Sequence, residues 1–170
     1  MRAGHKAAST VTSRAEPEAS AIKPGSGFRG TRPEIDRWLL SELNALVVKV
    51  TEEMEAFDPT DAARAIEGFV DDLSNWYVRR SRRRFWRGVS EGDADKESAY
   101  DTLYTALVTV SKLIAPFTPF VAEELYRNLV VSVDPDAPIS VHLAQWPVAD
   151  ASLIDERLNA ETQLVKRVCS

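Results

Sequence analysis

Apolar residues recur at intervals of three and four along the chain from position 33 onward. In the first such stretch the apolar positions are Ile35, Trp38, Leu39, Leu43, Leu46, Val47, Val50 and Met54. This spacing places them on one face of an amphipathic helix. Pro33 suits the first helical position, and Glu34 and Asp36 complement the positive end of the helix dipole. The sequence therefore predicts a helix over residues 34–56.

A second helix is predicted after the turn at Asp58 and Pro59. The residue before a proline disfavours helical geometry, so the first helix ends there, and either Asp58 or Thr60 can cap the next one. The apolar positions of this second helix are Ala62, Ile66, Phe69, Val70, Leu73, Trp76 and Tyr77. We expect it to continue to about Arg87 and to end at Gly88, because glycine commonly terminates helices.

Three further helices complete the pattern. They are predicted over about 95–114, over about 119–131 with Thr118 as the N-cap, and from about Leu153 or Asp155 to the C-terminus. Residues 140–147 alternate in polarity, which is compatible with a short extended segment. The predicted fold class is all-α, a bundle of four main helices plus a C-terminal helix that we expect to be truncated. The expected divisions are a tail at 1–32, the bundle at 33–150 and the start of the C-terminal segment at 151–170.

Composition changes this picture mainly at the N-terminus. Residues 1–32 are rich in Ala, Ser, Gly and Pro and show no helical periodicity, so we expect them to be disordered.

The single cysteine, Cys169, excludes a disulfide within the chain. With His5 and His142 it forms no spacing typical of metal ligands, so no metal site is predicted. The longest apolar runs are too short to span a membrane.

The stretch NWYVRRSRRRFW, residues 75–86, concentrates positive charge in a chain whose formal net charge is −5. Six of the 21 Lys and Arg residues lie between Arg79 and Arg87. At about 100° per residue, Arg80, Arg84 and Arg87 continue the direction of the apolar stripe of the second helix. Buried guanidinium groups need partners, so this helix end must leave the core, meet carboxylates or meet an anionic ligand.

The residues alone leave three interpretations of this cluster open. Arginine binds phosphate with two donors at once, and interleaved aromatic rings suit unpaired bases, which favours RNA or another polyanion. A protein partner is a second interpretation. Under the third, the arginines form internal ion pairs with nearby acidic residues, namely Asp71, Asp72, Glu91, Asp93 and Asp95. Trp76 and Tyr77 lie on the apolar face and are expected in the core in every case.

Four segments, in their order and spacing, resemble the anticodon-binding domain of isoleucyl-tRNA synthetases, a class I family. They are DRWLLSELNALV (36–47), FDPTDAARAIEGFVDDLSNWYVRRSRRRFW (57–86), APFTPFVAEELYRNL (115–129) and SVHLAQWP (140–147). The third segment is shared with valyl and leucyl relatives, whereas DDLSNWYVRRSRRRFW favours the isoleucyl branch. The resemblance extends from about Pro33 to the C-terminus.

The resemblance implies a helical bundle that binds the anticodon stem and loop of tRNA-Ile in the cytoplasm. The residues that match the family's arginine-bearing helix end are Asn75, Trp76, Tyr77, Arg79, Arg80, Arg82, Arg83, Arg84, Phe85 and Trp86. From these and the adjoining Arg87, the predicted RNA-binding set is Asn75, Arg79, Arg80, Arg82, Arg83, Arg84, Trp86 and Arg87. We expect the arginines to position phosphates and Trp86 to stack on a base. Asn75 either reads a base edge or bonds locally.

The catalytic signatures of class I synthetases, of the HIGH and KMSKS types, do not occur in this sequence. We therefore expect no catalytic residue and no cofactor here, since ATP and magnesium belong to the catalytic domain of the parent enzymes. The chain is interpreted as a fragment that is inactive in aminoacylation by itself. Two alternatives stay open: a structural or protein-interaction bundle without independent RNA binding, and the same module from a valyl or leucyl relative.

Overall fold

Five helical segments, α1 to α5, form the parts of the chain that the computed structural model describes, residues 30–86 and 93–169. They are α1 (Glu34–Glu55), α2 (residues 59–86), α3 (Ala94–Leu113), α4 (residues 119–131) and α5 (Glu156–Cys169). No β-strand occurs in either described stretch, so the predicted all-α bundle is confirmed. The predicted boundaries of α1 and α3 are correct to within one residue.

Both α2 and α4 change their helical geometry part of the way along. In α2 an α-helix (Pro59–Asp71) passes into a π-helix (Asp72–Val78) and returns to α geometry at Arg79–Trp86. In α4 the α-helix Pro119–Tyr126 ends in a π-helical turn, Arg127–Val131. Because a π-helix bonds each residue to the fifth along instead of the fourth, it alters which side chains face the core.

The turn between α1 and α2 is fixed by backbone and side-chain hydrogen bonds. Phe57 has a positive φ of 60°. The N–H of Asp58 donates to the carbonyl of Glu53 at 2.8 Å, and that of Phe57 donates to Met54 at 3.2 Å, which is the Schellman pattern. The Asp58 carboxylate then accepts from the N–H groups of Thr60 and Asp61 at 3.1 Å, so Asp58 is the N-cap of α2.

The main core lies where α1 meets α2, α3 and α5. Its largest fully buried side chains include Trp38, Leu39, Val50, Tyr77 and Leu113. A smaller apolar cluster joins α4 to the segment that follows it, through Ala122, Tyr126 and Val141. None of the helices in the described residues combines the length and apolarity that a membrane span needs.

Some local predictions differ from the structure. Pro33 is the N-cap of α1 and not its first helical residue. The extended segment predicted within 140–147 is instead a 3-10 turn, Val141–Leu143, in which the Ser140 hydroxyl accepts from the N–H of His142. A sheet partner is missing from the described residues, so a helical turn satisfies this backbone instead.

Specific polar contacts join Arg32, which precedes α1, to α3 and join the start of α5 to α1. Arg32, which the domain prediction assigned to the tail, donates to Asp101 at 2.6 Å and to Thr102 at 2.7 Å. The N–H of Asp155 donates to the Ser41 hydroxyl at 2.7 Å, and its carboxylate caps α5. Residues 1–29, most of the predicted tail, lie outside the described residues, as does the predicted helix stop at Gly88.

Candidate nucleic-acid interface

The π-helix of α2 decides which arginines face the solvent. Leu73, Tyr77 and Ser81 are spaced four apart, and all three are buried because the wider turns keep that spacing in phase. The expected continuation of the apolar stripe through Arg80 is therefore wrong: Arg80 is exposed, and Ser81 and Arg84 point inward instead. Arg87 lies outside the described residues, so its predicted role stays a prediction.

Arg84 forms an internal ion pair with a carboxylate on another helix. Its Nη1 and Nη2 lie 2.7 Å from the two carboxylate oxygens of Asp36 in α1, which is completely buried. Nη2 also donates to the Asp95 carbonyl at 2.9 Å, and Nε lies 2.9 Å from the Asp95 carboxylate without hydrogen-bond alignment. The Asp36 carboxylate accepts two further bonds, from Tyr77 at 2.8 Å and from Ser98 at 2.5 Å.

This network sets the protonation behaviour of its members. Burial, together with the neighbouring Asp36 charge, raises the pKa of Tyr77, which stays a neutral hydrogen-bond donor. Burial alone lowers the pKa of Arg84, but the bonds and charge of Asp36 outweigh it and raise that pKa above its usual value. Because its guanidinium donors are engaged inside the protein, the prediction that Arg84 contacts RNA is corrected to an internal, helix-joining role.

The other four arginines between residues 79 and 86 of α2 face solvent. Arg79, Arg80, Arg82 and Arg83 are exposed. Within the described residues none of them forms an ion pair with a carboxylate. Internal pairing, one of the three interpretations of the cluster, therefore accounts for Arg84 and leaves four arginines available to an external anion.

Two of these arginines stack on tryptophan rings of their own helix. The guanidinium carbon of Arg82 lies 4.9 Å from the ring centre of Trp86, which is 77% exposed. The guanidinium carbon of Arg80 lies 4.3 Å from the ring centre of the half-buried Trp76. Cation–π contacts of this kind hold an arginine in place without neutralising its charge. Arg80 and Arg82 are therefore positioned cations, and the Arg82 guanidinium lies beside the exposed ring of Trp86.

Asn75 and the aromatic side chains Trp76, Tyr77 and Phe85 make contacts within the protein. Asn75 is exposed, and its amide donates to the Asp71 carboxylate at 2.6 Å, which is the local bonding that was one of its two predicted roles. Phe85 packs edge-on against Tyr77 and Tyr100, with ring centres 6.5 and 5.2 Å away. Trp76 and Tyr77 contact the core as predicted, Tyr77 with no exposed surface.

Sequence reasoning assigned Asp36 only to the helix dipole and missed its role as the partner of Arg84. The signal was present, because Asp36 lies three residues before Leu39 and seven before Leu43, both on the buried stripe. A carboxylate on one buried stripe and an arginine on another indicate a buried pair. Ser98, which completes the network, carried no comparable signal. The described residues contain no group of three or more His, Cys, Asp or Glu placed to hold a metal ion.

Comparison with known proteins assigns the helical part of the chain to a known family. Residues 36–170 match the family model described as the anticodon-binding domain of tRNA ligase. The chain is 64% identical over 143 residues to an isoleucine–tRNA ligase of Dehalococcoides mccartyi, which covers 84% of this chain and 14% of the relative. It is 58% identical over 138 residues to the enzyme of Thermus thermophilus (81% and 13%) and 53% identical over 137 residues to that of Streptomyces coelicolor (81% and 12%). The chain thus spans about one seventh of the length of the relatives it matches.

Proposed function

Because this chain belongs to the family of anticodon-binding domains of tRNA ligases, we propose that the arginine-bearing end of α2 binds the anticodon stem and loop of tRNA-Ile. The observation that carries the proposal is the set of four exposed arginines, without carboxylate partners in the described residues, beside the exposed ring of Trp86. Arg79, Arg82 and Arg83 contact phosphates, and Trp86 stacks on an unpaired base. Arg84 holds the helix in place from inside.

The isoleucine specificity in this proposal rests on the relatives, whose names specify isoleucine–tRNA ligase. In the whole ligase, isoleucine would be attached to tRNA-Ile at the expense of ATP, with ATP and magnesium bound by a catalytic part of the polypeptide. This chain would supply recognition of the tRNA and no catalytic residue. The reaction would take place in the cytoplasm, where translation occurs.

The test is a fluorescence-anisotropy titration of the chain with a labelled anticodon stem-loop of tRNA-Ile at several salt concentrations. Phosphate contacts release counterions, so affinity should fall steeply with salt, with a logarithmic slope of about −0.7 for each contact to an unpaired strand. The triple variant Arg79→Ala, Arg82→Ala, Arg83→Ala should bind more weakly and with a correspondingly smaller slope. A stem-loop with a scrambled loop should bind less tightly than the cognate one.

Arg64→Ala is the matched control, because Arg64 is an exposed arginine on the same helix, paired with Asp61 far from the basic end. It removes one positive charge without touching the proposed interface. Equal weakening by Arg64→Ala and by a single change at Arg82 would mean that binding follows net charge alone. Binding that is insensitive to salt would contradict the proposal outright.

A further inference from the structure

A groove lies next to the basic end of α2, between α2, the start of α1 and the middle of α5. Its volume is about 340 Å³, at the lower end of the range of small-ligand sites, ~300–1,000 Å³. Its lining combines Trp76, Arg80 and Ile35 with Val165 and Thr162. Two acidic residues, Glu34 and Glu161, also line it. A concave, mainly apolar site with a few polar groups is the usual form of a site for a small planar group.

We propose that this groove takes one unpaired nucleobase of the bound RNA, and that it prefers a base carrying an exocyclic amino group. The proposal rests on the RNA binding proposed above and names a subsite within it. The groove is continuous with the arginine-bearing face, because Arg80 belongs to both. A loop whose phosphates are held by Arg79 and Arg83 can therefore turn a base toward it.

The stacked pair of Arg80 and Trp76 supplies the aromatic surface. Arg80 is held 4.3 Å above the Trp76 ring, so both planar groups are ordered before a ligand arrives. Bases stack on tryptophan rings and on guanidinium planes, and such stacking tolerates any base. Val165 and Ile35 add apolar walls, as an unstacked base requires. Stacking thus accounts for binding but not for choice among bases.

The carboxylates of Glu34 and Glu161 account for the preference among bases. Glu34 is exposed and has no hydrogen bond or ion pair within the described residues, while one oxygen of Glu161 accepts from Arg157 at 2.7 Å. Carboxylates repel phosphate, so the groove excludes the RNA backbone. They accept hydrogen bonds from the amino groups of adenine, cytosine or guanine. In uracil the two carbonyl oxygens flank the single N–H and would face these negative charges.

The first test fills the groove with a larger side chain, introduced at a partly exposed position that lines it. Val165 is 47% exposed on α5, so Val165→Phe should fold normally while occupying the space of the base. Val168→Phe is the matched control, because Val168 lies on the same helix, is 79% exposed and does not line the groove. We expect Val165→Phe to weaken binding of the stem-loop about tenfold, as for loss of one stacked base, and Val168→Phe to leave it unchanged. Urea unfolding of both variants checks that the fold is retained.

The second test locates the base. Stem-loops carrying 2-aminopurine at one loop position at a time should show one position whose fluorescence is quenched on binding, and Val165→Phe should remove that quenching. Replacing the natural base at that position by uracil should weaken binding. Glu34→Ala should reduce this discrimination, whereas Glu67→Ala, an exposed glutamate elsewhere on α2, changes the charge equally and should not.

The outcomes separate the subsite from the function on which it rests. If the stem-loop binds with the expected salt dependence but Val165→Phe binds as tightly as the unchanged chain and quenching persists, the groove inference is overturned and the proposed function stands. If quenching is lost but uracil binds as well as the amino-bearing bases, the stated base preference is wrong. Absence of salt-sensitive binding to any stem-loop overturns both.

Discussion

At the scale of single residues, the pair of Asp36 and Arg84 dominates the interior. Asp36 has no exposed surface, and the Arg84 side chain is 12% exposed. Arg84→Met would leave the Asp36 carboxylate with only the Tyr77 and Ser98 hydroxyls, and removing one partner of a buried pair costs about 3–5 kcal/mol. We expect urea unfolding to show a loss of this size.

The control for that change is Arg64→Met. Arg64 pairs with Asp61 at 3.0 Å, but its side chain is 72% exposed. Exposed pairs of this kind contribute about 0–1 kcal/mol, so its loss should be small. Similar losses in the two variants would mean that the Asp36–Arg84 pair contributes no more than a surface contact.

Phe57 is a second residue whose energetics can be isolated. It adopts left-handed backbone geometry and is 92% exposed, so the backbone is strained and the ring is not part of the core. Left-handed geometry costs a residue with a Cβ roughly 1–2 kcal/mol, and glycine avoids this cost. Phe57→Gly should therefore raise the free energy of unfolding by about 1 kcal/mol in thermal or urea denaturation.

Phe57→Ala separates the ring from the backbone. Alanine removes the exposed ring but keeps the Cβ and its strain, so its stability should stay close to that of the unchanged chain. A gain with alanine equal to that with glycine would mean that the ring, and not the backbone, is unfavourable at this position.

At the scale of elements, we expect the contact between α4 and the turn after it to depend on pH. The Glu123 carboxylate accepts from the Ser140 hydroxyl at 2.8 Å and from the N–H of Val141 at 3.0 Å. These two bonds lower the pKa of Glu123 below its ordinary value of 4.5. A carboxyl whose pKa is lower in the folded state stabilises the fold above the unfolded pKa, and this stabilisation disappears as pH falls through the folded pKa.

Glu123→Gln should therefore flatten part of the decline in stability below about pH 4.5, which urea unfolding at a series of pH values would reveal. Glu124→Gln is the control, since the Glu124 carboxylate accepts from Asn128 within its own helix. A parallel decline in the Glu123 variant and in the unchanged chain would exclude this contact as a source of acid sensitivity.

How far the sequence predicts each element depends on the length of its apolar pattern. The sequence predicts α1 and α3 almost to the residue, because the apolar pattern of each recurs over several consecutive turns. The π-helix of α2 was missed, since a pattern analysed at 3.6 residues per turn assumes the α geometry it tests. For that reason the pattern places Arg80 with Arg84 on the continuation of the apolar stripe, whereas in the structure Ser81 takes that position.

Prediction of the candidate site from the sequence is limited where contacts join two different helices. Charge clustering identifies the arginine-bearing helix end, where Arg79, Arg82, Arg83 and Trp86 are exposed, and their binding of RNA stays a prediction. The separate role of Arg84 depends on Asp36, which lies 48 residues earlier in another helix. Helical periodicity describes one helix at a time. An ion pair between two helices can therefore be identified only when the packing of those helices is known.

At the scale of the whole molecule, the basic end of α2 contrasts with the net negative charge of the chain. The chain is acidic overall, yet the described end of α2 has five arginines, of which one is neutralised internally by Asp36. A local cluster of cations on a chain of net negative charge favours the approach of an anionic ligand to this end. A bound RNA should then stabilise the folded state, because it binds the ordered arginines and not the unfolded chain.

This linkage gives a prediction that joins function to stability. At a stem-loop concentration about 100 times the dissociation constant, the free energy of unfolding should rise by about 2.7 kcal/mol at low salt. The variant Arg79→Ala, Arg82→Ala, Arg83→Ala should have nearly the same stability without RNA, since these side chains are exposed and have no carboxylate partners in the described residues. It should lose most of the RNA-dependent increase, as measured by urea unfolding with and without the stem-loop. An equal increase in both proteins would place the RNA on a different surface.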